Sequence, residues 1–305
     1  MAGDYTVMGG VEAVMTAKLS EARARIEARL SEISGSFMGL GLTDMVNYIS
    51  RGGKRLRGFL SIVTCEGLGG APDDAVDIAV AAELVHSASL ALDDIVDQDI
   101  IRRGGPSAWV LYGVGKTAMV SLFLVPIALK LVEKHGQLAL SYSISAWEEM
   151  VRGEIMDAYS AISGQEADYL EIIRLKTGSL FALASALGAI AAKRPDIAEA
   201  AYRYGELIGV SYQVADDLVD YLAYLDGFKK RLDPSEKSFE RWARESLSPL
   251  DGELTSKVLN YLRGRIEEAS KEAYKLFSKG PLRDVMPEIP RFFVSSMLAQ
   301  KGLSL

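Results

Sequence analysis

The sequence predicts an all-α protein, on three observations. Helix-forming Ala, Leu, Glu and Arg dominate the composition. Apolar residues recur at spacings of three and four, as in Ile26, Leu30 and Ile33. No stretch sustains the period-two alternation of a half-buried strand, so essentially no sheet is expected. The chain has 305 residues and is 49% hydrophobic, ample for a large core.

Residues 21–33 form an amphipathic helix on that spacing. Gly69-Gly70-Ala71-Pro72-Asp73-Asp74 reads as a loop that opens into a helix. Arg103-Gly104-Gly105-Pro106-Ser107, Ser163-Gly164-Gln165 and Lys193-Arg194-Pro195-Asp196 read as further loops. Residues 226–249 are highly charged and the least regular part. No low-complexity linker divides the chain, so residues 1–305 are expected to form a single domain of roughly ten or more packed helices.

A net charge of −7 and a pI near 5.1 exclude a global basic field for nucleic acid. The single Cys65 excludes an intrachain disulfide and any zinc site built on several cysteines. Only His86 and His135 are present, too few for a His-rich metal site. This usage fits a reducing, cytoplasmic setting. The first residues lack a signal-peptide pattern. The uncharged runs 117–129 and 177–192 fall short of the ~20 apolar residues that span a bilayer. They read as buried core helices, and no transmembrane segment is expected.

Two aspartate clusters stand out. Asp93-Asp94-Ile95-Val96-Asp97 follows the apolar run 84–92, and Asp216-Asp217-Leu218-Val219-Asp220 follows the apolar run 207–215. Residues four apart share a helix face, so Asp93 lies over Asp97 and Asp216 over Asp220. Like charges so placed repel, and burial makes them worse. Two such clusters call for a cation. Carboxylates without nearby His or Cys suit a hard ion. Magnesium takes one or two carboxylates and completes its shell with water and phosphate oxygens. Facing clusters would hold a diphosphate through several such ions.

Basic motifs accompany the carboxylates. Gly52-Gly53-Lys54-Arg55-Leu56-Arg57 precedes the apolar helix 59–65, and glycines and cations at a helix start favour an anion. Lys54 and Arg57, three apart, can point the same way. Arg102-Arg103-Gly104 begins five residues after Asp97, and adjacent arginines can serve different phosphates through bidentate forks. Lys176-Thr177 adds a charge and a hydroxyl. Gly113-Val114-Gly115-Lys116-Thr117 imitates the tail of a phosphate-binding P-loop. That motif needs glycine where Val110 stands, and a preceding strand, so the match is rejected.

Together these motifs resemble the trans-prenyl diphosphate synthases, the polyprenyl synthetase family, and within it the geranylgeranyl diphosphate synthases. Gly53-Lys54-Arg55-Leu56-Arg57 is similar to the family's GGKRLRP motif, with Gly58 in place of the proline. Glu83, His86 and Ser89-Leu90 lead into the first aspartate cluster, which Arg102-Arg103-Gly104-Gly105-Pro106 follows. Gly153-Glu154-Ile155-Met156-Asp157, Lys176-Thr177-Gly178 and the segment 209–220 with Gln213 come in the family's order.

The resemblance implies an isoprenoid synthase-like helical bundle around a central apolar cavity. It implies that Asp93, Asp97 and Asp216 bind Mg2+, three ions with substrate bound, assisted by Asp94, Asp217 and Asp220. Arg102, Lys176, Thr177 and Gln213 would hold an allylic diphosphate. Lys54, Arg57, His86 and Arg103 would hold isopentenyl diphosphate. Asp93, Asp97, Lys176 and Asp216 would carry the chemistry. The implied reaction ionises the allylic carbon–oxygen bond, and the double bond of isopentenyl diphosphate attacks the cation. An apolar pocket must keep water away. The resemblance also implies a homodimer, and an oily substrate is compatible with peripheral membrane contact.

The chain departs from the family in places. Residues 222–237 lack the usual glycine-lysine segment, with Lys229 or Lys230 as the substitute cation. Val120-Ser121 stands where Gly-Asp is usual. Ala88 and Ser89, the fifth and fourth residues before Asp93, are small where short-chain members carry an aromatic floor. A product of C20 or longer is therefore expected, unless Phe123 or Tyr112 closes the pocket from another helix. The alternatives are a class I terpene cyclase or head-to-head condensing enzyme, which share the fold, and a non-catalytic partner subunit.

Overall fold

The computed structural model describes residues 3–163, 168–228, 234–247 and 253–305. Thirteen α-helices run through them: α1 (Gly3–Gly35), α2 (Thr43–Ser50), α3 (Leu56–Gly67), α4 (Val76–Val96), α5 (Ala108–Tyr112), α6 (Val114–Glu133), α7 (Gln137–Ser163), α8 (Tyr169–Ile173), α9 (Ser179–Ala191), α10 (Ala198–Leu225), α11 (Pro234–Glu245), α12 (Leu254–Phe277) and α13 (Ile289–Leu298). A π turn, Arg174–Gly178, joins α8 to α9. The all-α prediction holds. The single exception among the described residues is a hairpin of two-residue strands, β1 (Ile101–Arg102) and β2 (Gly105–Pro106), paired antiparallel. Its turn residues Arg103 and Gly104 have φ of 52° and 73°, as a tight two-residue hairpin turn requires. Four paired residues are too few to leave an alternating pattern in the sequence. The stretch before Gly113 is the helix α5, so the P-loop imitation lacks its strand.

The chain divides into two compact units. One comprises Thr16–Trp147 and Leu183–Glu199; the other comprises Met1–Met15, Glu148–Ala182 and Ala200–Leu305. They are called here the α4 unit and the α10 unit.

In the α4 unit, α4 packs against α3 and α6. Its apolar residues, among them Ile78, Val80, Leu84 and Ala88, are buried nearly all round. Burial on several sides suits a central helix, and it brings the C-terminal aspartates of α4 to the end of a rigid rod. The Gly-Lys-Arg-Leu-Arg segment turns into α3 through Arg55, which has φ 56° and 2% exposure. Its Nε donates to Glu27 at 2.7 Å, Nη2 donates to the Ser50 carbonyl at 2.6 Å, and Nη1 lies 3.5 Å from Glu83. Arg55 is thus a structural clamp between Lys54 and Arg57. Gly58 explains its own departure from the family pattern. Its N–H, in the first turn of α3, donates to Glu83 Oε1 at 2.8 Å, a bond that proline has no hydrogen to make.

In the α10 unit, Val210, Val214 and Leu218 of α10 join Tyr169, Phe239, Trp242, Leu262 and Ile266 in one apolar cluster. The charged segment 226–249, read as irregular, contains α11. Phe239, Trp242 and Ala243 form its buried face, and the intervening charges conceal this i, i+3, i+4 stripe.

Of the two uncharged runs, 177–192 lies in a buried helix as expected, while 117–129 does not. Pro72–Val96, Val114–Glu133 and Tyr169–Ala191 are long and apolar enough, by length and composition, to cross a membrane. The most apolar windows of the first and third are 67% and 89% buried inside the protein. Val114–Glu133 is only 28% buried. Helix α6 buries Val120, Leu124 and Ala128 but exposes Val114, Met119 and Leu122. It is apolar on both its buried and its exposed faces, and is not a core helix.

Removing Arg55 would leave the buried Glu83 carboxylate without its ionic partner. Arg55→Ala is expected to lower unfolding stability by about 3 kcal/mol, the scale for breaking one side of a buried pair. Urea unfolding followed by circular dichroism measures this, and an unchanged midpoint contradicts the clamp.

Candidate active site

The α4 unit assembles most of the predicted anion-binding residues. Asp93 and Asp94 close the last turn of α4, where the helix dipole already concentrates negative charge. Asp94 is buried, and its Oδ1 accepts from Arg102 Nε at 2.6 Å. Arg102 Nη2 also pairs with Asp94, lies 3.3 Å from Asp99 and 3.7 Å from Asp93. Burial pushes the Asp94 carboxyl above the usual carboxylate range, and Arg102 only partly offsets it. Burial likewise opposes the Arg102 charge, yet the bond to Asp94 and the nearby carboxylates outweigh it and raise its pKa. Asp93 is partly buried and Asp97 exposed.

The hairpin turns the two adjacent arginines in different directions. While Arg102 meets the aspartates, Arg103 donates to the carbonyl of Arg51. A small cavity lies among Arg51, Ser87, Asp94, Arg102 and Arg103. His86 is held neutral, its pKa well below the ordinary value, first by burial and then by Arg57, Arg103, Arg55 and Arg102. Arg57, His86, Arg102 and Arg103 therefore share one electropositive neighbourhood. Lys54 is exposed beside the buried Arg55. The sequence reading missed Arg51, which stacks its guanidinium 3.7 Å from the Tyr48 ring centroid. Its place directly before Gly52-Gly53 was the available signal.

The α10 unit holds the second group. Asp217 is buried, whereas Asp216 and Asp220 are half-buried. Gln213 Nε2 donates to Asp217 Oδ1 at 2.9 Å, and Tyr169 Oη donates to Oδ2 at 2.5 Å. Thr177 Oγ1 donates in turn to Gln213 Oε1 at 2.9 Å. Burial pushes the Asp217 carboxyl up to about 8. The hydrogen bonds from Tyr169 and Gln213 oppose that push, while Asp216 and Asp220 add to it.

Lys176 lies 3.0 Å from Glu154 and 3.1 Å from Asp157, two residues of α7. Lys176 and Thr177 sit on the π turn, a distortion that often marks functional positions. Gly153 makes this approach of α7 feasible, because a Cβ there would stand 2.6 Å from the Lys176 backbone nitrogen. Tyr169 was also missed, although it precedes Lys176 by seven residues, close to two helical turns. Lys230 lies outside the described residues.

The donor chemistry fits a hard divalent ion. Among the described residues, no group of three or more His, Cys, Asp or Glu side chains is gathered into a ready-made metal cage. The accessible donors are the aspartate pairs Asp93/Asp97 and Asp216/Asp220. Such sparse all-oxygen sets suit magnesium, which leaves much of its shell to water and phosphate. Asp94 accepts hydrogen bonds from Arg102, and Asp217 accepts them from Gln213 and Tyr169.

Residues 41–269 match the family model described as polyprenyl synthetase. The chain belongs to the polyprenyl synthetase family. The matched region of this polyprenyl synthetase contains both aspartate clusters and every predicted site residue. The chain is 34% identical to a hexaprenyl pyrophosphate synthase of Saccharolobus solfataricus, over 93% of this chain and 96% of that one. It is 28% identical to a geranylfarnesyl diphosphate synthase of Methanosarcina mazei, over 90% and 92% of the two chains. Among solved structures, a geranyltranstransferase from Methanosarcina mazei superposes with a TM-score of 0.75 at 26% identity, covering 91% of this chain and 98% of that one.

The neutral His86 gives this polyprenyl synthetase a pH signature. Its pKa is lowered on folding, so below about 6.5 the unfolded chain binds a proton that the native state does not. His86 therefore contributes a loss of stability as pH falls through that value. His86→Gln removes this contribution, so the thermal midpoint of the variant should gain on wild type between about pH 7.5 and pH 5.5. Scanning calorimetry of both proteins at several pH values tests this, and a difference independent of pH contradicts it.

Proposed function

We propose that this polyprenyl synthetase joins isopentenyl diphosphate head-to-tail to an allylic diphosphate, releasing a linear trans-prenyl diphosphate of C20 or longer. The observation that carries the reading is the repeated arrangement of two less buried aspartates flanking a buried, hydrogen-bonded one, at the end of α4 and again on α10. The two relatives named above, a hexaprenyl and a geranylfarnesyl synthase, support elongation over cyclisation.

In this reading Asp93, Asp97, Asp216 and Asp220 hold Mg2+, three ions with substrate bound. Bound magnesium supplies charge neutralisation for the departing diphosphate. Lys176, Thr177, Gln213 and Arg102 bind the allylic diphosphate and keep it in line for ionisation. Lys54, Arg57, His86 and Arg103 hold isopentenyl diphosphate. Neutral His86 donates a hydrogen bond there. Asp94 and Asp217 orient the clusters from within. No side-chain nucleophile is needed.

The growing chain needs an apolar channel. A cavity of about 200 Å³ in the α4 unit is lined by Val85 of α4, Val125 and Leu129 of α6, Trp147 of α7 and Leu187 of α9, among others. Val85 precedes Asp93 by eight residues, about 12 Å along the helix. Neither Phe123 nor Tyr112 lines this cavity; Phe123 stacks edge-on with Phe37, and Tyr112 with Tyr48. The bulkiest lining side chain is Trp147. The proposal extends to residues 1–305 acting as one cytoplasmic prenyl synthase domain. The exposed apolar face of α6 is covered by a second copy, making a homodimer.

The activity test combines purified protein, magnesium, labelled isopentenyl diphosphate and a series of allylic diphosphates, with products resolved by chain length. Longer linear diphosphates are expected. Release of hydrocarbon, or no turnover with any primer by a folded protein, would overturn the reading. Asp93→Ala should lower turnover by at least about a thousandfold, on the scale of losing transition-state charge stabilisation, while the circular dichroism spectrum is retained.

Trp147→Ala should shift the product distribution towards longer chains by enlarging the cavity. An unchanged distribution would remove Trp147 from the control of length.

A further inference from the structure

Tyr169 begins α8 and belongs to none of the motifs from which the site was read. Its ring is buried against two side chains of α11, with centroids 5.7 Å from Phe239 and 5.0 Å from Trp242. Trp242 is backed in turn by Tyr261 of α12, edge-on at 5.0 Å. At the other end of the ring, the hydroxyl donates to Asp217 Oδ2 at 2.5 Å, and both groups are buried. Gln213 occupies Oδ1. Asp217 is therefore held at both oxygens, once from its own helix and once from Tyr169.

That anchor sets a direction. With 3.6 residues per turn, Asp216 and Asp220 point about 100° and about 60° to the same side of Asp217 around the α10 axis. Fixing Asp217 fixes where these two carboxylates face. We propose that Tyr169 is a positioning residue for the second aspartate cluster, with α11 as the brace that holds its ring. Helix α11, through Phe239 and Trp242, thereby acts on the aspartates through one phenol. The proposal rests on the reading of Asp216 and Asp220 as magnesium ligands.

Tyr169→Phe keeps the ring and its packing and removes only the hydroxyl. The measurement is calorimetric binding of inorganic pyrophosphate to the full chain at a series of magnesium concentrations. Wild type should bind pyrophosphate only with magnesium; metal-independent binding, or none, overturns the ligand reading itself and this proposal with it. Given wild-type binding, the variant should need about tenfold more magnesium for half-saturation, the usual effect of removing a partner that orients a ligand. Its KM for isopentenyl diphosphate should be unchanged. An identical magnesium requirement in variant and wild type overturns the proposal while leaving the ligand reading intact. If Tyr169→Phe does not fold, Trp242→Leu is the second variant. It loosens the ring and leaves the hydroxyl, so a raised magnesium requirement supports the proposal and an unchanged one overturns it.

Discussion

Carboxylates one turn apart on an apolar helix repel each other, and much of this structure answers that constraint. Each cluster places three aspartates within five residues, and each resolves the crowding in the same way. The middle aspartate turns inward and accepts hydrogen bonds from the protein, while the outer two are less buried. On α4 the donor is Arg102; on α10 the donors are Tyr169 and Gln213. The α4 cluster is the harder case, because it also sits at the negative end of its helix. Its buried Asp94 receives a full positive charge from Arg102, whereas the buried Asp217 of the α10 cluster accepts from the neutral Tyr169 and Gln213.

Much of the surrounding architecture delivers those donors. The hairpin of β1 and β2 brings Arg102 back onto the helix it follows, and its positive-φ turn sends Arg103 elsewhere. The π turn seats Lys176 between Glu154 and Asp157, and Gly153 makes the space. Arg55 ties the segment before α3 to Glu27 and Glu83, which leaves Lys54 and Arg57 outside the clamp. The crowding of arginines around His86 makes the neighbourhood strongly attractive to anions. Burial first, and then the same crowding, holds the imidazole pKa well below its ordinary value.

The apolar helices have a second role beyond stability. A core packed at ordinary density would leave no room for an oily chain. Small side chains on α4 and larger ones on α6, α7 and α9 instead border a cavity of about 200 Å³. Ala88 and Ser89 read from sequence as an open floor, but Ala88 is fully buried and neither residue lines that cavity. Helix identity was legible here, whereas the residue that bounds the space was not, since Trp147 enters from a helix more than 50 residues away in sequence.

The sequence by itself determined the helical class, the two aspartate clusters and the basic residues that go with them. These properties are local: a 3.6-residue period, a spacing of four, and runs of cations beside glycines. Tertiary structure decided which charged residues face inward. Arg55 looks like its neighbours in sequence, yet it is buried and locked into Glu27 and Glu83 from elsewhere in the chain. Asp216 and Asp217 are adjacent, yet it is Asp217 that is buried and accepts the Tyr169 hydroxyl. Helix α11 hid among charges because three apolar residues suffice once an aromatic cluster is waiting for them. Burial and partner choice depend on residues brought together from distant parts of the chain, and no local pattern encodes that.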